Sequence, residues 1–354
     1  MTSSDFTLFT SAEYWTELPR QIAQTKHGDR VVMMVMSFQP TEPAAAKVLD
    51  ELVAAAGRGV QVYVLVDAIN FTSHVDHGWP GPLWLGASLR HALPAFRPQL
   101  LMWDMLGRQP NIHLIITNKP KHRFSLPQAG RSHIKYTVIN DDVFVGGCNL
   151  HHTKWIDLMV QWHDKHIADY LFDFAKDVHR TESPQALMAG KDRQVSVDPK
   201  TTLFIDSGKR NQSLIFEKAL ELIDSAERSI VITCQFFPNS ITARHLAAAY
   251  QRGVDVEVIY GHPSKQGFVG GLGQEISILR ERLRVPAELF SKRLSRSSEG
   301  LHAKLIATEK GAIVGSHNYV HAGVFLGTAE IALLRRDPAF AQSALRALRR
   351  QLKV

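Results

Sequence analysis

Residues 133–149 read HIKYTVINDDVFVGGCN, and residues 302–318 read HAKLIATEKGAIVGSHN. In both stretches lysine follows histidine by two residues, Asn140 or Glu309 by seven, glycine (Gly146, Gly315) by thirteen and asparagine (Asn149, Asn318) by sixteen. Four coincident spacings at two distant places mark an internal duplication. Side chains alternate faces along a strand, so each histidine and the lysine two residues on project together. The Asn-Asp-Asp and Glu-Lys-Gly triplets are turn chemistry and return the chain as a hairpin. Its second strand delivers Gly146-Gly147 or Gly315-Ser316, small enough for a ligand to approach the backbone, and then an amide donor. Two such hairpins facing each other make a positively lined pocket suited to the non-bridging oxygens of a phosphodiester.

The duplication extends upstream. Val31 to Asp67 contains VVMMVMSF, PAAAKVLDELVAAAGRG and VQVYVLVD, and Ile230 to Tyr260 contains IVITCQFF, ITARHLAAAYQRG and VDVEVIY. Each copy reads as strand, helix and strand, the helix ending at Arg-Gly, which makes a parallel pair with a right-handed crossover. The predicted fold is α/β, with two pseudo-symmetric lobes, each a mixed sheet flanked by helices, and the site at their interface. The boundaries are 1–195 and 196–354, the second lobe ending in a basic helix over Phe340 to Leu352. From Gly59 to His133 is 74 residues and from Gly253 to His302 is 49, so the first lobe carries an insertion of 25 residues, placed within 69–110. Its stretch HGWPGPLWLG reads as a lid, or as a loop presenting Trp79 and Trp84 to a membrane.

Composition limits the function classes. With 354 residues, 45% hydrophobic and 21% charged, the chain is an ordinary globular protein able to bury two cores. Cys148 and Cys234 both lie in apolar runs, which argues against a disulfide framework or a structural zinc site. Met1 to Phe9 lacks the features of a signal peptide and no apolar run reaches 18 residues, so a cytoplasmic protein is expected. Forty-one Lys and Arg against 34 Asp and Glu give a formal +7, and an anionic partner follows: phospholipid headgroups or nucleic acid. Metal binding by His133 and His302 is disfavoured because a cation, Lys135 or Lys304, stands where a second ligand would be wanted. No cofactor is expected.

At these residues the sequence resembles the phospholipase D superfamily, whose bilobal members carry twice an HxKxxxxD motif followed by Gly-Gly or Gly-Ser-x-Asn. Gly-Gly in the first copy, Gly-Ser in the second and Trp155-Ile156-Asp157 after the first look most like the cardiolipin synthase branch. Asn140 and Glu309 stand at the motif's acidic position, and the spacer to glycine is one residue shorter in each copy. The resemblance implies a phosphatidyltransferase or phospholipase D working through a covalent phosphohistidine, with a metal-independent nuclease as the alternative. It implies His133 as nucleophile, His302 as general acid and base, and Lys135, Lys304, Asn149 and Asn318 on the phosphoryl oxygens, with Gly147 and Ser316 at the phosphate. Each histidine needs a carboxylate to fix its tautomer, and Asp157 and Glu330 are the candidates. In similar enzymes these acids cross the interface, which implies Glu330 behind His133 and Asp157 behind His302. The implied partners are an anionic phospholipid or membrane surface, with peripheral binding to the inner face, and an acceptor that is water, a small alcohol or phosphatidylglycerol. Both motifs lie in one chain, so a monomer is expected.

Overall fold

The computed structural model describes residues 5–39, 42–71, 103–119, 130–150, 155–238, 240–261, 276, 278–279, 294–297 and 300–352. Trp79 and Trp84 of the insertion lie outside them.

The first sheet has seven strands in the order β1-β7-β6-β5-β2-β3-β4, and the second has eight in the order β12-β11-β10-β13-β14-β15-β9-β8. The first comprises β1 (Thr7–Thr10), β2 (Arg30–Val35), β3 (Gln61–Asp67), β4 (Ile112–Thr117), β5 (Tyr136–Ile139), β6 (Asp142–Gly146) and β7 (Leu158–His163). The second comprises β8 (Arg193–Asp198), β9 (Thr201–Ile205), β10 (Ser229–Cys234), β11 (Asp255–Gly261), β12 (Leu294–Ser297), β13 (Leu305–Thr308), β14 (Gly311–Gly315) and β15 (Ile331–Arg335). Apart from β8 the two orders are the same topology. The duplicated units form the parallel pairs β2–β3 and β10–β11, and the motif hairpins are the antiparallel pairs β5–β6 and β13–β14. Near-continuous Val, Ile and Leu in β2, β3, β10 and β11 suit strands covered on both faces.

Helices α1 (Ser11–Ala23) and α2 (Pro43–Gly57) cover the outer face of the first sheet. The capping box of α1, in which Thr10 and Glu13 exchange side-chain bonds to each other's N–H, fixes where β1 stops and the helix starts. Helices α3 (Leu214–Ser225) and α4 (Ile241–Gln251) cover the second sheet in the same way. The inner faces pack on each other: β6 and β7 meet β14 and β15. Their shared core takes in α5 (Lys165–Thr181) and the C-terminal α6 (Pro338–Leu352). Helix α6 turns Phe340, Ala341, Ala344, Ala347 and Leu348 into that core and leaves Arg346, Arg349 and Arg350 exposed. Its apolar face is thus used by the fold.

Asn140 and Glu309 do the same work in the two hairpins. The Asn140 Oδ1 accepts from the Arg30 N–H at 3.1 Å, at the start of β2. The Glu309 carboxylate accepts from the N–H groups of Glu227, Arg228 and Ser229, at the start of β10. Asn140 also takes a left-handed φ of 55°, which asparagine tolerates better than most residues. An amide serves the first hairpin as a carboxylate serves the second.

Candidate active site

The two motifs lie where the lobes meet, and each histidine is held by the opposite lobe. His133 N–H donates to the Ala329 carbonyl at 2.7 Å, and His302 N–H donates to the Ile156 carbonyl at 2.9 Å. Ala329 and Ile156 directly precede Glu330 and Asp157, so one exchange of backbone bonds across the interface brings each carboxylate to the other lobe's histidine. His133 Nδ1 lies 3.0 Å from Glu330 Oε1, and His302 Nδ1 lies 2.6 Å from Asp157 Oδ2. A carboxylate accepts only, so Nδ1 carries a proton in both rings, and in the neutral form of either ring the lone pair is on Nε2. The carbonyls of Asp157 and Glu330 are fixed in turn by the N–H groups of Ser11 and Asp206, which occupy matching places after β1 and β9.

Gly147 and Ser316 sit under these carboxylates. A Cβ on Gly147 would stand 2.1 Å from Asp157 Oδ1, so only glycine leaves room for that acid. In the second lobe the Ser316 hydroxyl donates to Glu330 Oε2, and its N–H donates to the Ile331 carbonyl. Both residues touch the carboxylates because the hairpin's second strand is the antiparallel neighbour of β7 in one sheet and of β15 in the other.

Lys135 and Lys304 are buried, each ammonium donating to the carbonyl of the histidine two residues before it. Burial pulls both lysines down, Lys304 to about 7, even though Asp157 and Glu330 pull the other way. Burial also takes His302 down to about 4, with Lys304 adding to the effect against the opposing pull of Asp157. Glu330 is held at about 2: burial raises it, and His133 beside it, together with His317 and Lys135, reverses that. Asp157 is likewise lowered against burial by His302. At neutral pH the second-lobe pair is thus a neutral imidazole on an ionised carboxylate.

The asparagines differ. Asn149 Oδ1 accepts from the Ser37 N–H at 3.3 Å, whereas Asn318 Oδ1 is buried with no partner among the described residues. His317, between Ser316 and Asn318, accepts the Tyr319 N–H at Nδ1 and is packed against Phe216. The Trp155 ring lies 5.2 Å from that of His302, and Gly300 makes room for the indole. The histidine side chains are unequally open, His133 at 22% and His302 at 10%. Among the described residues no group of three or more His, Cys, Asp or Glu side chains is arranged to hold a metal ion, and no helix is long and apolar enough to cross a membrane.

Two features escaped the sequence reading: the buried Asp67–Arg131 pair just before His133, and the anchoring of the two acids by Ser11 and Asp206. A signal for the first existed. Asp67 ends the apolar run VQVYVLVD, where a buried strand has no obvious use for a carboxylate.

Residues 219–352 match a family model described as the cardiolipin synthase, phospholipase D-like domain. No curated protein matches the sequence. Among solved structures the chain is similar to phosphatidylserine synthase of Haemophilus influenzae Rd KW20, with a TM-score of 0.67 at 16% identity over 98% of this chain and 85% of that one. It is also similar to polyphosphate kinase from Porphyromonas gingivalis, with a TM-score of 0.55 at 13% identity over 98% of this chain and 50% of that one. The fold and the paired hairpins define a two-lobed α/β protein in which each lobe supplies one histidine, one lysine and one asparagine from the same hairpin. The family match lies within the second lobe, and over nearly the whole chain the likeness to the solved structures is one of fold.

Proposed function

We propose that the protein cleaves phosphodiesters through a covalent phosphohistidine and acts as a phosphatidyltransferase or phospholipase D on phospholipid at a membrane face. The observation that carries this reading is the pair of crossed histidine–carboxylate contacts beside two buried lysines, an arrangement with two nitrogen lone pairs and two cations but no metal-ligand cluster among the described residues. In the first step His133 Nε2 bonds to phosphorus, the bond from phosphorus to the leaving alcohol breaks, and His302 supplies that oxygen's proton from Nε2. In the second step His302 Nε2 takes the proton of water or an acceptor alcohol as its oxygen attacks, and the P–N bond breaks. Lys135, Lys304, Asn149 and Asn318 would meet the phosphoryl charge, where preorganised donors act most strongly. The two lobes, 1–195 and 196–354, are the units of this reading, each supplying one histidine to a site complete within one chain.

The greater openness of His133 favours it as nucleophile. The neutrality of His302 favours the reverse order, and trapping decides: the phosphoryl group is expected on His133. His302 has to gain a proton for its acid role, and a bound phosphate anion beside it favours that charged form.

The test uses purified protein with vesicles of phosphatidylglycerol and phosphatidylethanolamine, with and without glycerol, in EDTA. Mass spectrometry should find headgroup-exchanged or hydrolysed lipid at undiminished rate. Loss of activity in EDTA, restored by a divalent ion, would count against the mechanism. Cleavage of a DNA oligonucleotide with no action on vesicles would assign the protein to the nuclease alternative, for which the basic surplus is the supporting feature.

A pH dependence follows from Lys304. Its ammonium is present below the lowered pKa and lost above it, so kcat/KM should gain a descending limb near pH 7, far below that of an ordinary lysine. Bound phosphate favours the ammonium, so the same limb in kcat should lie at higher pH. A kcat/KM profile with no such limb between about pH 6 and 9 would show that the Lys304 charge is not used.

A further inference from the structure

Asp67, the last residue of β3, is wholly buried beside the first motif and has no part in the chemistry above. Its carboxylate accepts from four donors: Ile69 N–H at 2.9 Å and Arg131 Nη1 at 3.2 Å on Oδ1, and Asn118 Nδ2 at 2.9 Å and Ser132 N–H at 2.7 Å on Oδ2. Four donors fill the acceptor sites of one carboxylate. Two come from Arg131 and Ser132, immediately before His133, and a third from Asn118 at the end of β4. The Arg131 carbonyl is occupied as well, accepting from the Ala329 N–H across the interface and from Gln185 Nε2.

The next turn continues the brace. Asn70 Oδ1 accepts from the Ser37 hydroxyl and the Phe38 N–H, and the Ser37 N–H is the donor that fixes Asn149. Residues 67–70 thus hold the backbone before His133 and the amide of Asn149 in one polar network. Among the described residues the second lobe differs at this place. The matching registers of β2–β3 and β10–β11 put Gly261 where Asp67 stands, with no side chain to do this, and Asn318 Oδ1 is without a partner among the described residues.

We propose that Asp67 is a positioning residue for His133: by fixing Arg131 and Ser132 it sets the line along which Nε2 attacks phosphorus. In-line attack tolerates little displacement of the nucleophile, whereas a proton donor reaches its target through a more forgiving hydrogen bond, so the lobe carrying the nucleophile is the one that needs the brace. This rests on the reading of His133 as nucleophile.

The experiment is a rapid-quench burst measurement on the full chain with a soluble p-nitrophenyl phosphodiester, comparing wild type with Asp67→Asn well below its melting temperature. Asparagine keeps the shape but turns an NH2 group toward donors. The burst rate constant is expected to fall about 10- to 100-fold, with burst amplitude per folded molecule and KM unchanged within about threefold. A rate constant within about threefold of wild type, with only amplitude or melting temperature lowered, would make Asp67 a stability residue and overturn the proposal. If Asp67→Asn does not fold, Arg131→Lys, which keeps the charge and loses the fork, is read the same way: a slower burst at intact amplitude supports positioning, and an unchanged burst rate constant overturns it. Failure of the underlying reading looks different, because wild type itself would then give no burst or would carry the phosphoryl group on His302.

Discussion

His133→Ala is expected to lower phosphodiester turnover by about four orders of magnitude or more, the scale of losing a nucleophile for which no neighbour can substitute. His302→Ala should match that loss only when the leaving group is an alkyl alcohol. With p-nitrophenolate, which departs without a proton, the first step should survive and the second should stall for want of a base. The protein should then accumulate as phosphohistidine, visible as a burst followed by little turnover, with the label on His133. The double variant should be no slower than His133→Ala alone, because the two rings serve one reaction. Near-normal turnover of an alkyl diester by His302→Ala would remove the two-histidine mechanism altogether.

The parts of this site that were legible in the sequence are those that depend on local geometry. Period-two alternation puts His133 with Lys135 and His302 with Lys304, and the burial of both lysines beside their histidines follows from strands that continue into apolar runs. The duplication announces the shared topology of the sheets because it spans whole strand-helix-strand units. Contacts between lobes leave no such trace in spacing. Asp157 is 145 residues from His302, and nothing in WIDLMV says which histidine it faces; the crossing was expected only from the family resemblance. Gly147 and Ser316 show the limit from the other side. Small residues beside a functional motif read equally well as room for a ligand or room for a side chain, and spacing gave no sign that Gly147 adjoins Asp157 or that Ser316 bonds Glu330. Asp67 is the reverse case, a charged residue at the end of a core strand whose four partners come from three separate stretches of chain.

The crossed acids carry the second large expectation. Glu330→Gln and Asp157→Asn should each reduce kcat by about three to four orders of magnitude while leaving KM nearly unchanged, as when a triad aspartate is replaced by its amide. The volume is preserved, so the loss comes from the proton on Nδ1. An amide can present either its NH2 or its oxygen to the ring. In Glu330→Gln the Ser316 hydroxyl donates to the same group and holds the oxygen on its own side, which turns the NH2 toward His133 and forces the tautomer whose Nε2 is protonated and cannot attack. In Asp157→Asn the Leu158 N–H, 2.9 Å from Oδ1, likewise claims the oxygen and leaves the NH2 facing His302. That ring would keep a proton on Nε2, so Asp157→Asn should impair the second step, which needs a base, more than the first, which needs an acid. Rapid quench with the p-nitrophenyl diester separates the two: a slow burst for Glu330→Gln, and a normal burst with slow release for Asp157→Asn. Equal loss in both steps for both variants would mean that the acids only hold the lobes together.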